Sequence, residues 1–131
     1  MSLKYKIYPE KSLLIDELSE SITLEELLDF HSTYRNDENI ISVHKVLTNL
    51  IGANFKMSLD EMLTYIDELK KEALPPNFKW AILTETPNST MFSILIKEEA
   101  CFKNKVGVFS TLKSCLEFLN IDLPENDFNS D

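Results

Sequence analysis

The chain of 131 residues is 44% hydrophobic and 27% charged, the composition of one globular domain able to bury a core rather than of a disordered polymer. Its 22 acidic and 13 basic side chains leave a formal charge of −9, which opposes attraction to nucleic acid and to anionic lipid surfaces. It has only two glycines, Gly52 and Gly107, which excludes dinucleotide loops, P-loops and nucleophile elbows, each of which needs several glycines at fixed spacing.

At the start of the chain, Lys4-Tyr5-Lys6-Ile7-Tyr8 alternates polar and apolar side chains, and Leu13-Leu14-Ile15 with Leu18 forms a second apolar run. Pro9-Glu10-Lys11 between them supplies turn chemistry, so the pair predicts a β-hairpin. No secretory apolar region lies in residues 1–11, and no later window approaches the roughly 18 apolar residues of a membrane span. A cytoplasmic protein is expected. Thr23 then heads a helix, with Glu26 completing a capping box and Ile22 and Leu27 forming the flanking hydrophobic staple. Leu24, Leu27, Leu28 and His31 follow the helical spacing, and the helix should end near Asn36-Asp37-Glu38-Asn39.

Ile40 to Leu50 is rich in β-branched residues and predicts an interior strand, with Ile41, Val43 and Leu47 on one face and Ile40, His44, Val46 and Leu50 on the other. The capping signature repeats at Met57, Ser58, Glu61 and Met62. It predicts a second helix from Leu59 towards Ala73 with a buried stripe of Leu59, Met62, Leu63, Ile66, Leu69 and Ala73, stopped by Pro75-Pro76. Trp80-Ala81-Ile82-Leu83 predicts a short buried strand, and Asn88 or Ser89 a cap for a third helix over Met91 to Ala100. Lys105 to Phe109 predicts the next strand, and Ser110 or Thr111 caps a last helix carrying Leu112, Cys115, Leu116 and Leu119. The expected order is ββαβαβαβα: a single α/β domain over 4–122 with a mixed, mainly parallel sheet, followed by a polar C-terminal tail over 123–131.

That order resembles the STAS superfamily, the fold of bacterial anti-sigma-factor antagonists, in its divergent STAS-like branch. Three stretches carry the resemblance: Ser21 to Leu27, the strand-loop-helix from Val46 through Met62, and Val108-Phe109 with the helix Leu112 to Leu119. In phosphorylated antagonists the loop that opens the central helix reads Asp-Ser-Ser-Gly, with a serine as phosphoacceptor. Placing Asn49 on the aspartate of the family's central strand aligns Met57-Ser58-Leu59-Asp60 with that motif, so that Ser58 alone is retained. The resemblance therefore implies a binding module more than a phosphoswitch.

Ser58 is the candidate phosphoacceptor equivalent, or simply a helix cap, since one set of unpaired N–H groups suits both. Capping is favoured. His31 and His44 read as packed neutral histidines, Cys101 and Cys115 as buried structural thiols, and the acidic pairs Asp16-Glu17, Glu25-Glu26, Asp60-Glu61 and Asp67-Glu68 mostly as solvated helix faces and first-turn charge. No catalytic residue, metal or cofactor is expected. Asn54, Phe55, Lys56, Met57 and Asp60 form, with Ser58, a candidate interaction loop. Met91, Phe92, Leu95 and Ile96 belong to a segment apolar on nearly every side, which reads equally as plain core or as a candidate surface for a protein partner, a second copy or a ligand. The reading is a non-enzymatic interaction or regulatory module without affinity for nucleic acid. The alternative is an apolar small-molecule or lipid-binding protein of SEC14-like type, which STAS-like folds resemble in architecture.

Overall fold

In the computed structural model, which describes residues 2–122, strands β1 (Ser2–Tyr8) and β2 (Leu13–Ile22) pair antiparallel around the Pro9–Lys11 turn. β1 starts two residues ahead of the expected Lys4, and the tail expected over 123–131 lies outside the described residues. Helix α1 (Leu24–Arg35) opens on the expected capping box: Thr23 Oγ1 accepts from the Glu26 N–H at 3.3 Å and Glu26 Oε1 from the Thr23 N–H at 2.9 Å. Ile22 and Leu27 are both buried, as a staple requires.

The long strand expected from Ile40 to Leu50 is shorter and begins later. Glu38–Ser42 is a 3-10 turn, and β3 runs only over Lys45–Asn49. Local hydrogen bonds compete with the sheet here: Asp37 Oδ1 accepts from the Asn39 N–H at 2.9 Å, and Ser42 Oγ donates to the Asn39 carbonyl at 2.8 Å. Ile41 is consequently almost fully exposed. Beyond Asn49 the chain turns through Gly52, whose φ of 85° is the left-handed conformation that glycine adopts freely. It then forms β4 (Ala53–Phe55), a strand where the sequence predicted only loop.

Helix α2 (Leu59–Lys70) ends before the expected Ala73, and its buried stripe is Met62, Tyr65, Ile66 and Leu69, with Leu59 and Leu63 exposed on the flank. β5 (Lys79–Leu83) follows, then α3 (Pro87–Lys97), which starts earlier than expected because Thr86 caps it and Pro87 occupies its first turn. Ala100–Phe102 is a separate 3-10 turn, so α3 stops short of Ala100. β6 (Val106–Phe109) and α4 (Leu112–Leu119), capped by Thr111, complete the fold.

The main sheet has the order β1-β2-β3-β5-β6, parallel after the first hairpin. The first part of β2 pairs with β3, and its far end pairs in parallel with β4, from Glu20 opposite Ala53 to Ile22 opposite Phe55. Side chains alternate across each strand. Leu13, Ile15, Leu47, Ala81 and Leu83 therefore pack on Cys115 and Leu119 of α4, whereas Leu18, Ile22 and Ile82 pack on α1, α2 and α3. Both cysteines are free. Cys115 is buried, which pushes its thiol up to about 11, but Cys101 is exposed on its 3-10 turn, not buried as expected.

Candidate functional site

Two regions of the helix-covered face concentrate polar chemistry or exposed apolar surface. The first is built around the start of α2. Ser58 Oγ accepts from the Glu61 N–H at 3.1 Å, and Glu61 Oε1 accepts from the Ser58 N–H at 3.0 Å, a complete capping box on an exposed turn. Asp60 and Glu61 occupy that first turn, so a phosphate on Ser58 would meet two carboxylates, with Lys56 the nearby cation in sequence. Ser58→Ala is expected to cost about 1 kcal/mol and Ser58→Asp only a few tenths. Urea unfolding checks this: an alanine variant as stable as the parent would show that the box contributes nothing.

Of the expected interaction loop, Asn54 and Phe55 lie in β4. Phe55 is buried and Met57 half-buried, leaving Asn54, Lys56, Ser58 and Asp60 as the exposed members. The structure joins this segment to α3. The Phe55 N–H donates to Asn88 Oδ1 at 2.9 Å, Ser89 Oγ donates to the Ala53 carbonyl at 3.2 Å, and the Phe55 and Phe92 rings meet edge-on at 4.7 Å. Phe92 and Ile96 are therefore core, the burial alternative of that segment and not the contact surface, and Leu95 is half-buried.

What remains outside is a different set. Leu59 is 56% exposed, Leu63 40%, Met91 47% and Ile94 43%. Lys70 reaches Glu99 at 2.8 Å, which fixes the side of α2 that faces α3. Leu63 and Leu59 precede Lys70 by two and three helical turns and so share that side. Met91 and Ile94 lie on the side of α3 opposite its buried Ser89, Phe92, Ser93 and Ile96, so both helices present apolar side chains to solvent. The sequence reading assigned Leu59 and Leu63 to the core. Their exposure follows from Tyr65, which turns the buried stripe of α2 toward α1.

The second region is interior. Asp16 lies between Leu14 and Leu18 on the inward line of β2, where alternation places it under the helices. Unlike the acidic pairs on the helix faces, it is buried. Trp80 Nε1 donates to Thr48 Oγ1 at 2.8 Å, and the Thr48 hydroxyl in turn bonds the Asp16 carboxyl. The other carboxyl oxygen, Oδ1, has no hydrogen-bond partner among the described residues. It belongs to a chamber of about 30 Å³ walled also by Tyr34, Tyr65 and Ser93. Burial disfavours the carboxylate and raises Asp16 to about 7 despite the bond from Thr48. Burial likewise pushes the Tyr34 and Tyr65 hydroxyls, which hydrogen-bond each other, well above the usual phenol range.

Beside the chamber, His31 Nε2 lies 2.5 Å and Arg35 Nε 3.0 Å from Glu72 Oε1. His31 also stacks edge-on against Tyr34 and Tyr65. His44 stands apart, ahead of β3, and the described residues contain no cluster of three or more His, Cys, Asp or Glu side chains able to hold a metal.

No protein-family model matches the sequence, and no curated protein matches it significantly. Solved structures that share the architecture include two of one protein. One is the anti-sigma-factor antagonist SpoIIAA in its unphosphorylated form, at 11% identity over 91% of this chain and 98% of that one, with a TM-score of 0.54. The other is the Bacillus cell fate determinant SpoIIAA in its phosphorylated form, at 9% identity over 88% and 97% of the two chains, with a TM-score of 0.55. The chain has a STAS-like α/β fold, as its predicted element order implied. Among the described residues no helix is long and apolar enough to cross a membrane.

Proposed function

We propose that this chain is a non-enzymatic regulatory module that binds a protein partner through the exposed apolar side chains of α2 and α3 and the adjoining Lys56–Asp60 turn. The observation that carries the reading is the exposed apolar set Leu59, Leu63, Met91 and Ile94 beside the capped start of α2. Four large side chains left outside the core, together with the exposed Asn54, Lys56 and Asp60, have the make-up of a protein-contact patch. One of the structures sharing the fold is named as an anti-sigma-factor antagonist, which agrees with a partner that is itself a protein. Ser58 acts in this reading as a cap that keeps the turn in shape, not as a phosphate acceptor, because Asp60 and Glu61 repel added negative charge.

The test is affinity capture from the protein's own cells with wild type, Leu63→Asp and Met91→Asp, read by quantitative mass spectrometry. A partner retained by wild type and reduced at least tenfold with both variants is expected, at unchanged unfolding midpoints. Identical recovery with all three chains would reject this surface, and capture of the chain itself alone would replace the partner with a second copy.

A further inference from the structure

At the C-terminal end of α2 the structure holds a cleft of about 550 Å³, between the ends of α1 and α2 and the starts of β3 and β5. That volume is within the range of roughly 300–1,000 Å³ typical of small-molecule sites. Val46, Leu69, Leu74, Phe78 and Trp80 supply apolar walls, and the 3-10 turn that displaced the expected strand brings Ile40 and Ile41 to the rim. The charged side chains lining it are Arg35 and Glu72, and they are paired with each other at 3.0 Å.

The electrostatics select the ligand class. An anion would approach the negative ends of two helix dipoles on a chain of net charge −9. A cation would have to compete with Arg35 for Glu72. A hydroxyl suits the site because it can donate to the carboxylate and accept from the guanidinium, whose terminal N–H groups have no recorded partner among the described residues. The apolar walls then match an aliphatic chain. We propose that this cleft binds a neutral aliphatic amphiphile of the medium-chain alcohol type, its chain against Leu69, Leu74, Phe78 and Trp80 and its hydroxyl at the Arg35–Glu72 pair. This site is separate from the exposed leucines of α2 and does not depend on the partner reading.

Trp80, the single tryptophan, lines the cleft and reports occupancy directly. The probe is 11-bromo-1-undecanol, whose bromine quenches indole fluorescence on contact, compared with 11-bromoundecanoate and the corresponding trimethylammonium at pH 8. Saturable quenching by the alcohol is expected, with both charged analogues at least tenfold weaker. Ala73→Phe and Val43→Phe, which narrow the cleft from its walls, should each weaken the alcohol at least tenfold, whereas Leu63→Asp and Met91→Asp should bind it like wild type. No saturable quenching, equal quenching in both narrowed variants, or a carboxylate that binds as tightly as the alcohol would overturn the proposal. The headgroup comparison uses wild-type protein, so it decides the matter even if a narrowed variant fails to fold.

Discussion

Asp16→Asn is expected to abolish a decline in stability between pH 4 and pH 7 and to leave the protein more stable than wild type at pH 8. Asp16 titrates at about 7 in the folded chain but near 3.9 once unfolding returns it to water. Between those values the folded state holds the proton and the unfolded state does not. Stability from the protonated acid is therefore complete below about pH 4, falls by about 1.4 kcal/mol per pH unit, and is lost once pH passes 7. Asparagine has the same shape, still accepts from Thr48 and carries no charge, so its curve should be flat across this window. Asp37 acts in the opposite sense and at lower pH: hydrogen bonds from the Asn39 N–H and the Tyr5 hydroxyl hold its pKa down, so its contribution is lost as acid protonates it. Urea unfolding at pH 5, 6, 7 and 8 separates the two. A wild-type curve level from pH 5 to 7 would show that Asp16 is solvated in the native state.

The second large effect concerns the apolar segment of α3, where neighbouring residues should behave oppositely. Phe92→Ala is expected to cost about 3–5 kcal/mol, because Phe92 is 3% exposed and packs between the rings of Phe55 at 4.7 Å and Tyr65 at 5.8 Å. Truncation opens a cavity under α2, α3 and β4 together, which leaves little room for local collapse. Met91→Asp, one residue earlier but with its side chain half in solvent, should stay within about 0.5 kcal/mol of wild type. Denaturant midpoints measure both. A Phe92→Ala chain as stable as wild type would place the ring at a surface, and a strongly destabilised Met91→Asp would place Met91 in the core.

The elements legible in the sequence were those whose signals are local. The capping boxes at Thr23 and Ser58 are made by side chains three residues from the backbone groups they satisfy, so no distant partner was needed to read them. The hairpin and the parallel strands followed from alternation and turn chemistry in the same way, and their order already implied the STAS-like fold. What the tertiary structure decided were matters of pairing and orientation. Three residues, Ala53 to Phe55, have no periodicity to detect; they become a strand because the far end of β2, left unpaired by β3, offers them an edge. Leu59, Leu63 and Tyr65 all lie near the apolar side of α2, and a modest rotation of the helix against the sheet determines which are covered. Asp16 looks in sequence like any acidic pair with Glu17. Its protonation is set by Thr48, Trp80, Tyr34 and Tyr65, side chains brought from four other elements to exclude water from one carboxyl, and such desolvation exists only once the chain has folded around it.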